Sequence, residues 1–193
     1  MSGTAFERYA PFIQEYIYRK RWTDLREVQA EACSAILDTD DHVIIASGTA
    51  SGKTEAAFFP ILTTLYHHPS NSVGVLYIGK QRALKEAQGV LQITPESLEA
   101  LLMLRPSEAA RLFGDLRFVV IDEIHAFMGT DRGLQVLCLL SRLEKIVGCR
   151  PRRVGLSATL NDYEPALRYL AAGTNRHAQA VGIRHHGRTI SLC

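Results

Sequence analysis

Four short runs in this chain carry apolar residues at consecutive positions instead of at every second one: "HVIIAS" (42–47), "VGVLYI" (73–78), "RFVVID" (117–122) and "RRVGLS" (152–157). A strand with one solvated face alternates apolar and polar residues. A run apolar throughout is covered on both faces, which is the condition of a parallel sheet sandwiched by helices. Between the runs the spacing predicts helices: about 25–37 (Leu25, Val28, Ala32, Ile36), 53–66, 80–87, one opening with "TPESLEALL", 131–147, and "YEPALRYLA". Thr94 is placed to cap the fourth of these, with Pro95 at its first position. Residues 6–20, with Phe6, Tyr9, Ile13 and Tyr16 at helical spacing, predict a helix with an aromatic face. "GVLQI" (89–93) predicts one more strand, and "QAVGIRHHGRTISL" two strands around a turn. Pro60 must kink the helix it falls in, or sit where its missing donor does little harm. The fold class is therefore α/β, a parallel sheet with helices on both faces.

In such sheets ligands bind beyond the carboxyl ends of the strands, and three ends carry unusual residues. After "HVIIA" comes Ser47-Gly48-Thr49-Ala50-Ser51-Gly52-Lys53-Thr54. Small residues entering a helix expose backbone N–H groups and the positive end of the helix dipole, which suits a polyphosphate. Lys53 adds a charge for the terminal phosphates, and the Thr54 hydroxyl is placed to ligate Mg²⁺. The strict phosphate-loop pattern has glycine where Ser47 stands, so the relaxed form is met. Roughly one chain in ten of this length holds G-K-[ST] by chance; placement between a buried strand and a helix argues against chance here. After "RFVVI", Asp122 stands where phosphate-loop enzymes hold magnesium, usually through water. Glu123 beside it suits a general base for the attacking water. After "RRVGL", Ser157 and Thr159 taken alone suit a helix cap.

Taken together, "SGTASGKT", "DEIH" and "SAT" on successive strands resemble motifs I, II and III of the superfamily 2 DExH-box helicases. "LREVQAEA" resembles that family's adenine-reading segment, and "LQITPESLEALL" its motif Ib. "LFGDLRFVVIDEIHAF" and "DRGLQVLCLLSRL" are similar to the large-helicase-related (Lhr-like) branch. The resemblance covers most of residues 22–173. It implies a RecA-like, ATP- and Mg²⁺-using motor domain of a DNA or RNA helicase or translocase. Gln29 would read the adenine edge. His125, Ser157 and Thr159 would relay the nucleotide state, and Thr94 would lie against a strand phosphate. Arg132 is a further nucleic-acid candidate, though an arginine at a helix start is as readily a surface residue. Phe12 or Trp22 is a candidate to stack on adenine, against the plainer reading as core. The implied partners are single-stranded or duplex nucleic acid, DNA ahead of RNA, and a second RecA-like domain that would supply arginine fingers. The parts expected are N-terminal helices with the adenine segment (1–40), the ATP-binding domain (41–178), and strands leading toward the second domain (179–193).

One departure is internal. In the family, motif Ia, a helix and a further strand follow the strand matching "VLYI", whereas here Gly79 leads into Lys80. Either the protein lacks that unit or the sequence joins two segments across an omitted stretch; the close match of both flanks favours the second. An intact mass equal to 21.5 kDa would overturn it.

The remaining composition narrows the alternatives. With 47% hydrophobic and 22% charged residues the 193-residue chain has the make-up of a globular protein with a sizeable core. A net charge of +2 neither requires nor excludes nucleic acid. No apolar run is long enough to span a membrane, and "MSGTAFERYAPF" does not read as a secretory signal. Cys33, Cys138, Cys149 and Cys193 lack C-x-x-C spacing, which fits free thiols in a reducing cytoplasm. His67–His68 and His185–His186 lack ligand spacing and read as surface residues. A non-hydrolysing nucleotide-binding module is the alternative function, opposed by the intact Lys53, Asp122 and Glu123. A phosphate-loop kinase or small-molecule ATPase would leave "SAT" and the Ib-like segment without a task.

Overall fold

A computed structural model describes residues 3–48, 52–79, 89–158 and 160–182. Its elements follow in the order α1 (Gly3–Arg8), α2 (Pro11–Arg19), α3 (Glu27–Asp38), β1 (His42–Ala46), α4 (Lys53–His67), β2 (Val75–Ile78) and β3 (Val90–Ile93). Then come α5 (Pro95–Leu104), α6 (Pro106–Leu112), β4 (Phe118–Ile121), α7 (Asp131–Val147), β5 (Arg152–Ser157), α8 (Glu164–Ala171) and β6 (Ala178–Val181). The six strands form one sheet in the order β3-β2-β4-β5-β1-β6, and every neighbouring pair is parallel.

The sheet is buried on both faces, as the uninterrupted apolar runs require. Alternation along β1 sends Val43 and Ile45 to the side of α3 and α4, where they meet Ala32, Ala57 and Ile61. Ile44 and Ala46 point the other way, into a core shared with Leu98 and Leu102 of α5, Leu139 and Leu143 of α7 and Leu170 of α8. Burying each such side chain contributes roughly 1.5–3 kcal/mol before conformational entropy is set against it.

The N-terminal segment differs from the single helix expected over 6–20. It is two helices, because Pro11 opens the second and Ala10 before it is extended (φ −57°, ψ 149°). The break is used: the Ala10 N–H donates to Thr63 Oγ1 (3.0 Å), and the Tyr9 hydroxyl donates to the Gln29 carbonyl (3.2 Å). Both helices thereby dock on α3 and α4 around Phe59. Short, polar α6 is an element the periodicity does not reveal; only Ala109 in it is buried. Pro60 lies buried inside an unbroken α4, and Thr64 Oγ1 donates to its carbonyl (2.9 Å). The helix expected over 80–87, and the second strand of the tail with His185–His186 and Cys193, lie outside the described residues.

The amino-terminal edge of the sheet holds three buried polar side chains. Arg152 donates to the carbonyls of Ala35 and Ile36 (both 2.6 Å) and of Asp41, closing the end of α3. Arg153, on the opposite face, donates to Leu170 O (3.0 Å) and Ala172 O (2.8 Å) at the end of α8, and pairs with Glu144 of α7 (2.9 Å). His42 Nδ1 accepts from the Arg153 N–H (3.0 Å) while Nε2 faces Thr174 Oγ1 (3.1 Å). Burial, reinforced by the charge of Arg153, lowers the His42 pKa to about 4. Burial likewise lowers that of Arg152 to about 10.

Candidate nucleotide site and the edge beside it

At the carboxyl edge, β1 runs into Ser47, whose N–H donates to the Ser157 carbonyl (3.4 Å) and so ties the loop to the end of β5. Gly52 precedes α4 in the left-handed conformation (φ 76°), a backbone that glycine adopts at little cost. Lys53 is the first residue of α4. Its ammonium folds back over the loop, donating to Ser47 O (2.7 Å) and Gly48 O (3.4 Å). Thr54 is exposed beside it. Thr49, Ala50 and Ser51 lie outside the described residues, as does Thr159.

Gln29 is 1% exposed. Its Oε1 accepts from the Arg26 N–H (3.0 Å), fixing the amide so that Nε2 faces Gly52; a Cβ at Gly52 would stand 2.7 Å from it. Among the described residues that Nε2 has no hydrogen-bond partner. A buried donor left unpaired costs roughly 1–3 kcal/mol, and here it is aimed at the turn that opens α4. The donor set around this turn (the Gln29 amide, a lysine ammonium, an exposed threonine hydroxyl) fits a nucleotide with its metal.

The second strand end is held just as closely. The Asp122 N–H donates to Ile78 O (2.9 Å), and Asp122 Oδ1 accepts from the Glu123 N–H (3.0 Å). Glu123 is left-handed (φ 50°, ψ 47°), a strained backbone for a residue with a side chain. A 3₁₀ turn over Ile124–Ala126 follows. Gly155 of β5 lets it close in, since a Cβ there would stand 2.8 Å from Ile124 Cδ1. His125 bridges the parts: Nε2 lies 3.2 Å from Glu123 Oε2, and Nδ1 lies 3.2 Å from the hydroxyl of fully buried Ser157. Ser157 thus meets the lysine loop through its carbonyl and the acidic turn through its hydroxyl.

Tyr77 is a residue that sequence reading missed. It lies on the α4 side of β2, its ring 5.8 Å from Phe58, and its hydroxyl interacts with Asp122. Burial first, then that interaction and the charges of Asp122 and Glu123, raise its pKa. The parallel register, Ile78 beside Ile121, is what brings it there.

A separate cluster lies where α5 and α7 begin. Thr94 caps α5, its Oγ1 accepting from the Ser97 N–H (3.3 Å), as Thr130 caps α7 through the Gly133 N–H (3.1 Å). Arg132, expected as a nucleic-acid candidate, is engaged within the chain: its guanidinium meets Glu96 at 2.8 Å and lies over the Phe127 ring (5.8 Å). The Glu96 carboxyl is held below its usual range, first by its own backbone N–H and further by Thr94 and Arg132. Phe12 is exposed and pairs with Tyr66, at the far end of α4 from Lys53. Trp22 packs on Tyr16 and Phe59 and lines a cleft of about 250 Å³ just before α3. Among the described residues no group of three or more His, Cys, Asp and Glu is placed to hold a metal ion, and no helix is long and apolar enough to cross a membrane.

Residues 26–89 and 79–166 match the DEAD/DEAH box helicase family model. The ATP-dependent helicase Lhr-Core of Methanothermobacter thermautotrophicus is 26% identical over 238 aligned residues, covering 95% of this chain and 27% of that protein. The Lhr helicase/probable uracil glycosylase of Mycolicibacterium smegmatis is 31% identical over 193, covering 74% and 12%. Among solved structures, Mycobacterium smegmatis helicase Lhr bound to ssDNA and AMP-PNP superposes with a TM-score of 0.75 at 24% identity, over 92% of this chain and 28% of that one. The DEAD-box helicase Mss116 bound to ssRNA and UDP-BeF gives 0.72 at 17%, over 89% and 42%. The fold is that of RecA-like helicase domains. The chain spans about a quarter or less of the two curated relatives. The two matched pieces overlap at 79–89, and the 238 aligned positions exceed the 193 residues of the chain.

Proposed function

The chain belongs to the DEAD/DEAH box helicase family, and from that premise we propose that it is the ATP-binding motor domain of an ATP-dependent helicase or translocase. The observation that carries this reading is the convergence of the lysine loop, the Asp122–Glu123 turn and Ser157 on one edge of the sheet. Magnesium-bound ATP supplies, when present, the phosphoanhydride whose hydrolysis drives the cycle. Lys53 leaves the Ser47 and Gly48 carbonyls to neutralise phosphate charge. The backbone of Ser47 to Gly52 (Gly48, Thr49, Ala50 and Ser51 between them) cradles that charge. Thr54 and Asp122 would hold the metal, Asp122 through water, with Tyr77 beside the carboxylate. Glu123 takes the proton of the attacking water. Gln29 presents its unpaired amide to the adenine edge. His125, Ser157 and Thr159 carry the state of Glu123 and the loop to the partner domain.

The bound polymer in this reading is a nucleic-acid strand held through its phosphates at Thr94 and Arg132, with affinity that falls as salt rises. DNA stands ahead of RNA because the similar Lhr structure carries ssDNA. The parts are the N-terminal helices and adenine segment (1–40), the motor domain (41–178), and a tail (179–193) leading to a second RecA-like domain. An arginine finger from that second domain raises the rate of hydrolysis by about 10³–10⁵. The setting proposed is the cytoplasm.

Binding of a fluorescent ATP analogue with Mg²⁺, compared with the Lys53→Ala variant, tests the reading. Loss of binding by about tenfold or more in the variant is expected. Equal binding, or none in either protein, would overturn it.

A further inference from the structure

Arg132 stands where elementary electrostatics disfavours a cation. It is the second residue of α7, whose first amides carry the positive end of the helix dipole. Glu96, the second residue of α5, offsets that misplacement by meeting the guanidinium at 2.8 Å. The pair is not needed to satisfy a buried charge, since the side chains are 46% and 59% exposed. Nor is it needed to join the helices. Leu98 and Leu102 share a core with Val136, Leu139 and Leu143. Gln135 also bonds Glu99 (2.6 Å), and Arg142 bonds the Leu102 carbonyl (3.1 Å). Both caps are satisfied by threonine hydroxyls. What the pair does hold is the Arg132 guanidinium, which lies 5.8 Å from the Phe127 ring centre and meets a Glu96 carboxylate oxygen at 2.8 Å.

A carboxylate and a phosphodiester present the same pair of acceptor oxygens to a guanidinium. We infer that Glu96 is a built-in competitor for the strand phosphate that Arg132 would otherwise take, an autoinhibitory contact that lowers the chain's affinity for single strands. The inference rests on the nucleic-acid reading above and adds a residue that works against binding. Displacement exchanges one exposed ion pair for another, so the effect is modest and depends on salt.

The test is fluorescence anisotropy of labelled oligothymidylate and oligouridylate with the full chain, over a salt series, for the parent protein, Glu96→Gln, Arg132→Gln and the double variant. Both substitutions are at exposed positions, and thermal melts confirm folding. Glu96→Gln is expected to tighten binding by about twofold to fivefold. Arg132→Gln weakens it and lowers the salt slope by about 0.7. The double variant matches Arg132→Gln, because the carboxylate has nothing left to compete for. A Glu96→Gln protein that binds as the parent does, or more weakly, overturns the inference while the nucleic-acid reading stands. A parent protein with no salt-dependent binding to either polymer defeats that reading and this inference with it. The two polymers separate DNA from RNA without altering the outcome for Glu96.

Discussion

The two edges of the sheet are built from the same strands to opposite standards. β5 begins with Arg152 and Arg153 and ends with Ser157; β1 begins with His42 and ends at the lysine loop. At the amino edge the buried side chains are spent on the protein itself: Arg152 and Arg153 close two helix ends, and His42 is bonded through both ring nitrogens. Only the Arg153 Nε lacks a partner there. At the carboxyl edge the Gln29 amide is unpaired, Lys53 rests on carbonyls of its own loop, and Glu123 sits in a strained conformation. Local rules are kept where the sheet is anchored and relaxed where a ligand can repair them.

If that division holds, substitutions at the carboxyl edge change chemistry and spare stability, and those at the amino edge do the reverse. The largest effect expected is Glu123→Gln, which should lower the strand-stimulated ATPase rate by roughly 10³-fold with nucleotide affinity and melting temperature unchanged. A parallel drop in melting temperature would break the division. Next, Arg152→Leu should cost about 3 kcal/mol by stranding the carbonyls of Ala35, Ile36 and Asp41, a fall of about 6–12 °C in a thermal melt, with nucleotide affinity kept. Third is a pH effect. His42 is held neutral, its pKa lowered from 6.5 to about 4, so the unfolded chain takes up a proton first as pH falls. Stability is complete above about pH 6.5 and declines toward pH 4, by about 2 kcal/mol between pH 7 and 5. Chemical denaturation at the two pH values measures this, and His42→Asn should flatten the difference. The smallest effect sharpens the comparison most. Gln29→Met removes an unpaired donor together with the acceptor of the Arg26 N–H, so the two effects offset and stability should stay within about 1 kcal/mol. Preference for an ATP over a GTP analogue should fall about fivefold by competition binding.

Much of this was legible in sequence because it is local. A run apolar at every position must be buried on both faces, and a small-residue turn between such a run and a helix exposes amides wherever it occurs. β5 and α7 are found over the same residues that the pattern predicts. What escaped is not local. The aromatic spacing of 6–20 continues across Pro11, so periodicity joined what the ring of Pro11 separates. α6 buries one alanine and leaves no stripe to read. Tyr77 reaches Asp122 only through the β2–β4 register. Arg132 finds Glu96 only because two helices 36 residues apart in their second positions start side by side. Phe12 is aromatic and helical in spacing, yet its place at the far end of α4 removes it from the nucleotide edge.

Arg152 and Arg153 are consecutive residues of a central strand, and each faces a different helical layer. Because side chains alternate, a slip of β5 by one residue would exchange their faces. One guanidinium would then take the other's place, and the end of α3 or of α8 would be left uncapped. Two adjacent arginines therefore act as a key that admits a single alignment of the strand. During folding they would reject a mispaired sheet that an all-aliphatic β5 could tolerate. The alignment they enforce is also the one that delivers Ser157, five residues further along, to both His125 and the lysine loop.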